Sequence, residues 1–408
     1  MTRLTKSLLF LVFFAAVAIG FLNRAAIFRY LSGDGSGAAT RVAGTSVFLP
    51  VDDDAAGFAR AVEPGAIRFP DDLGPHDDYQ TEWWYYTGNL ATAQGRRFGF
   101  QLTFFRRALS PPDADGESLQ NGGGSKATRP SNWRTRQIYL AHFAVSDIDG
   151  GRFLHAESFS RGAVGLAGAA ADPYAVWLEG WHARSISPGR VALHADSDDA
   201  AIDLVLEETL PPVLHGDQGL SPKGPEPGNA SYYYSIVRQK TSGTVTAGGR
   251  QYAVTGLSWK DHEYSTSALS TGTVGWDWFS LQFDDGTALM FFQIRREDGT
   301  LENASSGTFI SADGTTRHLE KADWRLEVLE EWKSPESGAV YPVKWRMNIA
   351  AIDLDITGGA MMADQEMNVS TTYWEGAAAF TGFRAGQPVT AEGYVEMTGY
   401  AETMEGRF

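Results

Sequence analysis

The chain has 408 residues, a length that fits two domains better than one. Hydrophobic residues make up 43% and charged residues 21%, which is typical of a globular protein and argues against disorder. The net charge of −16 argues against a nucleic-acid groove, and the absence of Cys excludes disulfides, a thiolate nucleophile and a Cys-ligated metal.

The N-terminal 30 residues have the pattern of an export segment. Arg3 and Lys6 precede an uncharged apolar run over residues 7–22. This run is at the short end of the about 17 to 25 residues that span a bilayer. We therefore predict either a cleaved signal peptide or an anchor in the inner membrane over residues 1–30, with the body in the periplasm or secreted. The Gly-, Ala- and Asp-rich stretch 31–65 is predicted to be a linker.

From about residue 66 onward the sequence is typical of short strands. Residues 97–104 alternate with period two, as a half-buried strand does. Strand-like stretches flank Asp-Gly turns at 149–151 and 284–286, which predicts two hairpins. Because long amphipathic helical patterns are scarce, we predict an all-β chain of sandwiches or barrels.

Two stretches interrupt this spacing. Residues 110–131 form a long polar loop, and residues 211–229 contain five prolines and are predicted to run extended across a barrel mouth.

The aromatic-acidic stretch 82–88 also resembles the stretches 373–376 and 393–400. Duplication of one barrel unit would explain this internal similarity, and so would a shared strand composition.

The first candidate cluster joins His76 to the aromatic strand at residues 81–90. Alternate residues of a strand share a face, so Glu82, Trp84 and Tyr86 should point one way and the aromatic residues between them the other way. A Glu among indoles would be desolvated, which raises its pKa. The alternative is that Glu82 pairs with an Arg or caps a strand.

The second cluster covers residues 256–264 and 275–279. Asp261 or Glu263 could act as a general acid, with His262 setting its protonation state. The π faces of nearby tryptophans attract positive charge; these are Trp259, Trp276 and Trp278.

A metal site is not expected in this second cluster. His262 lies between two carboxylates, but neighbouring residues of a strand alternate sides, so they could chelate together only on a loop. There is also no hydrolase nucleophile elbow and no phosphate-binding glycine motif. We predict no metal and no cofactor. The histidines elsewhere in strand-like stretches are expected to be structural: His142, His155, His182, His194 and His318.

These residues carry a resemblance to the AttH-like/CrtC family, which includes hydroxyneurosporene synthase, a carotenoid 1,2-hydratase. The matching stretches are Phe69-Pro70-Asp71, His76, Thr81 to Leu90, Trp259 to Tyr264, Gly275 to Phe279 and Gly393 to Tyr400. One departure is Tyr264, where many relatives have Trp. The resemblance implies two tandem lipocalin-like antiparallel β-barrels, an N-terminal one over 66–265 and a C-terminal one over 266–408.

The resemblance also implies a hydrophobic ligand, an isoprenoid or a lipid. In hydratase members an acid protonates a terminal isoprenoid double bond, and water then traps the cation. Carried over, Asp261 is the first choice as proton donor and Glu263 the second, with His262 orienting the acid or the water. The predicted substrate-binding residues are His76, Glu82, Trp84, Tyr86, Trp259, Trp276, Asp277 and Trp278.

Two further interpretations stay open. Members of the AttH type are associated with genes for an ABC transporter, which implies a periplasmic lipid carrier without catalysis. Alternatively, the Asp-His-Glu run is a hydrogen-bonded corner that joins the two domains.

Overall fold

The computed structural model describes residues 55–112, 135–267 and 269–405. The predicted export segment over 1–30 lies outside the described residues, and so do most of the linker and most of the polar loop. In the described part of the chain, no helix is both long enough and apolar enough to cross a membrane. The regular structure is antiparallel β, with short 3₁₀ turns at Asp71–Leu73, Lys321–Asp323 and Ala350–Ile352.

The first sheet contains thirteen strands and curls into a barrel, called barrel 1. Its strands are β1 (Thr81–Ala91), β2 (Arg97–Ala108), β3 (Gln137–Asp147), β4 (Arg152–Arg161), β5 (Ala167–Ala171), β6 (Tyr174–Leu178), β7 (Trp181–Ser187), β8 (Arg190–Asp196), β9 (Ala200–Glu207), β10 (Val213–Leu214), β11 (Leu220–Pro222), β12 (Ala230–Ala247) and β13 (Arg250–Ser265). The order is β4-β3-β2-β1-β13-β12-β9-β8-β7-β6-β5, and β10 and β11 pair with β12.

The second sheet contains ten strands and forms barrel 2. Its strands are β14 (Thr273–Phe283), β15 (Ala288–Arg296), β16 (Ser306–Ile310), β17 (Thr316–Glu320), β18 (Trp324–Lys333), β19 (Val340–Ile349), β20 (Leu354–Ala360), β21 (Glu366–Asn368), β22 (Thr372–Arg384) and β23 (Gln387–Met397). The order is β17-β16-β15-β14-β23-β22-β20-β19-β18, and β21 pairs with β22. The all-β, two-barrel prediction is confirmed.

Period-two alternation separates the interior of barrel 1 from its outer face. On β2, Phe98, Phe100, Leu102 and Phe104 are all buried in the barrel 1 core. Burial of each such side chain contributes about 1.5 to 3 kcal/mol, so this pattern fixes the face and therefore the register of the strand. The predicted hairpins are also present, because β3 joins β4 and β14 joins β15 through the two Asp-Gly turns.

The two barrels meet through the outer faces of their central strands. β1 lies between β2 and β13 in barrel 1, and β14 lies between β15 and β23 in barrel 2. Side chains of both barrels share one apolar cluster, in which Tyr85 and Trp259 pack with Trp278 and Tyr394. The Asn89 amide also donates to the Gly393 carbonyl across this boundary, at 2.9 Å. The outer face of β1 and β13 is therefore buried by barrel 2.

Candidate functional site

The pairing of β1 with β13 places residues of each sequence cluster on two opposite faces of the sheet. Trp84 lies opposite His262 in the ladder, and Tyr85 lies opposite Asp261. The predicted alternation within β1 is thus present. Trp84 and His262 point into barrel 1, whereas Tyr85 and Asp261 point toward barrel 2. The predicted site residues of β1 and β13 therefore form two separate groups, an outward group and an inward group, on opposite faces of the same strands.

The outward group lines a cavity between the barrels, called the inter-barrel cavity. Its lining residues are Trp83, Tyr85, Thr103, Phe105, Lys223, Ser231, Tyr233, Asp261, Glu263, Ser265, Ser267, Leu269, Trp276, Trp278, Phe292, Ile294, Thr371, Tyr373, Glu396, Thr398 and Met404. The cavity volume is about 120 Å³. An engineered apolar cavity of ~150 Å³ binds benzene, so this one has room for a group the size of a branched alkene end.

Asp261 is held on the barrel 1 wall of this cavity by three hydrogen-bond donors. The Tyr233 hydroxyl donates to Oδ2 at 2.6 Å, and the Trp259 indole donates to Oδ1 at 2.6 Å. The Ser235 hydroxyl also donates to Oδ1. Burial raises the pKa of Asp261 to about 7, although these donors pull it down. The carboxyl can therefore give and take a proton near neutral pH, as a general acid requires.

Glu263, the second predicted acid, has a different environment. It lines the same cavity two residues further along β13, but the Lys223 ammonium lies 2.8 Å from its Oε1. The Ser231 hydroxyl donates to the same oxygen. Lys223 also lies 4.1 Å from the ring centroid of Phe292, a cation–π contact. Because Glu263 is committed to this ion pair, Asp261 remains the better candidate for proton transfer.

Barrel 2 supplies aromatic walls and a second acid. The Trp278 indole donates to the Tyr233 hydroxyl at 3.0 Å, and the Trp276 indole donates to Glu396 at 2.5 Å. Glu396 is not among the site residues predicted from the sequence, although the aromatic-acidic stretch 393–400 contains it. Asp277 is turned to the other side of β14, where it pairs with Arg295 at 3.0 Å and does not line the cavity.

The inward group forms a polar cluster at one end of the barrel 1 interior. Glu82 Oε1 accepts hydrogen bonds from His76 Nδ1 at 2.7 Å and from His262 Nε2 at 2.8 Å. Its Oε2 accepts from Arg106 Nε at 2.7 Å. The Trp84 indole stacks on His262 at 4.9 Å, and Tyr86 bonds to Tyr174 deeper in the core. These residues pack inside barrel 1 and none of them lines the inter-barrel cavity.

The structure corrects the expected ionisation of Glu82. Burial alone would raise its pKa, but the Arg106 guanidinium and the two histidines hold the pKa well below its ordinary value. Glu82 is therefore a carboxylate paired with an Arg, which was the alternative interpretation. Burial lowers the pKa of His262 to about 3, so this ring is neutral. Because His262 lies on the opposite face from Asp261, it does not orient that acid.

His76, Glu82 and His262 also form the one group of possible metal ligands in the described residues, with ligand atoms within 4.8 Å of one another. The charges and protons that these three side chains carry favour a hydrogen-bonded cluster over a metal site. Arg106 already neutralises Glu82, and Asp72 and Glu82 raise the pKa of His76 to about 9 although burial opposes its charge. A cation would have to displace the His76 proton beside a buried guanidinium.

Two histidines connect the cavity walls to polar groups behind them. His142, predicted from the sequence to be structural, lies 2.7 Å from the hydroxyl of the cavity-lining Tyr373 and 3.1 Å from Glu157. His215, in the proline-rich segment, lies 2.6 Å from the Ser235 hydroxyl and 2.9 Å from Thr308 of barrel 2. No local motif marks either contact, because each joins residues that are far apart in sequence.

The fold and the cavity together define a class of protein: tandem lipocalin-like β-barrels that enclose an apolar, acid-containing cavity between them. The chain belongs to the AttH-like family, whose model matches residues 60–400. A search of curated proteins finds no match to the sequence.

Two solved structures share this architecture. An AttH protein from Nitrosomonas europaea is 34% identical, and the match covers 84% of this chain and 100% of that one with a TM-score of 0.71. Kievitone hydratase from Nectria haematococca is 15% identical, and the match covers 87% and 98% of the two chains with a TM-score of 0.62. The second likeness shows a common fold.

Proposed function

We propose that the chain binds a hydrophobic alkene, an isoprenoid or a similar lipid, in the inter-barrel cavity and adds water to its double bond. One observation carries the proposal. Asp261 is a buried carboxyl with a pKa raised to about 7, and it lies on the wall of an aromatic cavity. Protonation of an alkene carbon needs an acid that is still protonated near neutral pH, and an ordinary Asp is not.

The surrounding side chains suit the intermediate of this reaction. When Asp261 transfers its proton to the alkene, the more substituted carbon becomes a tertiary carbocation. The Trp276 and Trp278 rings line the cavity and can face that charge, which an aromatic π face stabilises by about 0.5 to 2 kcal/mol. Tyr233, Ser235 and Trp259 donate to Asp261 and stabilise the carboxylate that the transfer leaves. No metal or organic cofactor is needed.

The comparison with kievitone hydratase supports this class of reaction through the shared fold. The competing proposal is a carrier that holds a lipid in the same cavity and passes it to an ABC transporter. The largely apolar lining suits both roles. A lipid that co-purifies with the protein and is not consumed would favour the carrier.

The proposal is tested by replacing Asp261 and measuring conversion. Purified protein is incubated separately with an acyclic isoprenoid polyene and a prenylated phenol, and alcohol products are quantified by mass spectrometry. Asp261→Asn should lower turnover by about 10² to 10⁴-fold while the affinity for the alkene stays nearly unchanged. Asp277→Asn is the matched control, because both residues are 4% exposed but Asp277 faces away from the cavity.

The control variant should convert the probes within a few-fold of the parent. If Asp261→Asn hydrates either probe as fast as the parent, Asp261 is not the acid. If the parent converts neither probe but binds both, the carrier proposal replaces the hydratase.

We also propose that the protein works outside the cytoplasm, exported or tethered through residues 1–30. The support is the pattern of two basic residues followed by an apolar run. Cell fractionation of the full chain carrying a C-terminal tag tests this proposal. Recovery of the tag in the cytoplasmic fraction alone would contradict it.

A further inference from the structure

Two glutamates face each other on adjacent strands of barrel 2. Glu375 on β22 and Glu396 on β23 are directly opposite in the ladder. Glu375 is completely buried, and Glu396 lines the inter-barrel cavity. The Tyr85 hydroxyl donates to Glu375 Oε2 at 2.8 Å, and the Trp276 indole donates to Glu396 Oε1 at 2.5 Å.

The strongest charge effects on this pair come from acidic groups. Glu375 and Glu396 act on each other, and Asp261 and Glu263 act on Glu396 from β13. The Lys223 ammonium of the same cavity is paired with Glu263. Glu375 Oε1 is buried, and among the described residues no hydrogen-bond donor faces it. Two carboxylates this close cannot both ionise without a cation, so the pair must hold a proton.

The proton is held mainly by Glu375. Burial and the neighbouring Glu396 keep the pKa of Glu375 well above its ordinary value, so this side chain is a neutral acid. Burial raises the pKa of Glu396 to about 7, while hydrogen bonds from Trp276 and Glu375 favour its charged form. Glu396 can therefore take up and release a proton near neutral pH, as a general base requires.

We infer that Glu396 is a second catalytic residue, the base that takes a proton from the attacking water, and that Glu375 is its proton-bearing positioning residue. This inference rests on the proposed function. It follows from the placement of the two acids, because Asp261 is on the barrel 1 wall and Glu396 is on the barrel 2 wall of the same cavity. A substrate between the walls has a proton donor on one side and a proton acceptor on the other.

The step balances without an oxidant or a cofactor. Asp261 gives its proton to one alkene carbon and becomes a carboxylate, and the π bond breaks to form the new C–H bond. The water oxygen bonds to the cationic carbon and loses one proton to Glu396, which becomes neutral. The product is the tertiary alcohol. Transfer of that proton from Glu396 back to Asp261, through cavity water, restores the starting state.

The positions of the shared proton can be tested without any substrate. Infrared difference spectra at neutral pH should show the C=O band of a protonated carboxylic acid. Protonated Asp261 adds a band of its own. Glu375→Gln should remove the band of Glu375, and Glu396→Gln should retain it, because Glu375 stays neutral. Glu366→Gln is the control, since Glu366 is a buried glutamate of β21 that bonds to Ser334 and does not line the cavity. If Glu375→Gln removes no such band from the spectrum of the parent protein, the two glutamates do not share a proton.

The catalytic role is tested with the polyene in deuterated water. The proposed proton transfer from Asp261 can also run backwards, so deuterium can enter recovered alkene even when water capture fails. Glu396→Gln should lower alcohol formation by about 10² to 10⁴-fold but retain deuterium exchange, whereas Asp261→Asn should lose both. Glu375→Gln should keep most of the activity, because a glutamine amide can still donate to Glu396, and Glu375→Leu should lose it.

The pH profile distinguishes catalysis from a structural role. In the parent, kcat/KM should fall at acid pH as Glu396 takes its proton, and this limb should disappear in Glu396→Gln. Alcohol formation at the parent rate by Glu396→Gln would overturn the role of Glu396 while leaving the proposed hydration intact. A parent that makes no alcohol and exchanges no deuterium would overturn the proposed function and the role of Glu396 together, and the infrared test would still decide whether the pair holds a proton.

Discussion

The buried Arg106–Glu82 pair offers a quantitative test of the inward cluster. Arg106 is completely buried, and its guanidinium donates to Glu82 at 2.7 Å, to Gln137 at 2.9 Å and to the backbone carbonyl of His76 at 2.8 Å. Arg106→Met keeps most of the side-chain volume but removes the charge and all the donors. Glu82 would then be a buried carboxylate without its main counter-charge, a change that costs about 3 to 5 kcal/mol.

Urea unfolding, followed by tryptophan fluorescence, measures this cost. Arg106→Met should lower the free energy of unfolding of barrel 1 by about 3 to 5 kcal/mol. The double variant Arg106→Met with Glu82→Gln should be less destabilised than the sum of the single variants, because the unpaired charge is gone. Arg346→Met is the control, since Arg346 forms a two-point pair with Asp355 on the exposed surface and should cost about 0 to 1 kcal/mol. An Arg106→Met cost as small as that of the control would refute the account of Glu82.

Two further predictions concern single side chains. Asp72 and Glu82 raise the pKa of His76 to about 9 against the opposing effect of burial, so its charged form contributes stability that is complete below about pH 6.5 and is lost as the pH rises through about 9. Urea midpoints between these pH values should fall in the parent but less in His76→Gln, and equal slopes would contradict the assignment. Tyr85→Phe keeps the ring contact with Trp278 but removes the hydroxyl donor to Glu375, which should cost about 1 to 3 kcal/mol in thermal unfolding. A melting temperature equal to that of the parent would show that this hydrogen bond contributes nothing.

The local pattern of the sequence predicts the strands and the faces within each strand. Glu82 and Trp84 share one face of β1 and Tyr85 lies on the other, as period-two alternation requires. The family motifs likewise identify Asp261 and Trp276 as cavity residues. What alternation cannot show is which face points into its own barrel and which is covered by the other barrel.

Long-range partners account for the remaining differences. The sequence leaves open whether Glu82 is neutral or paired with an Arg, because nothing near it in sequence shows that Arg106, 24 residues away, binds its carboxylate. Glu375 and Glu396 become neighbours only through the register of β22 with β23. The similar aromatic-acidic stretches 373–376 and 393–400 contain both glutamates, but composition alone does not show that they face each other.

The most direct test of the central claim is the source of the oxygen in the product. The purified parent protein is incubated with the isoprenoid polyene in water enriched in ¹⁸O, and the product is analysed by mass spectrometry. Hydration in the inter-barrel cavity predicts an alcohol that carries one ¹⁸O atom, formed by the parent and by Asp277→Asn but not by Asp261→Asn. Recovery of unchanged, protein-bound polyene from all three proteins would contradict hydration and leave the cavity as a site of lipid carriage.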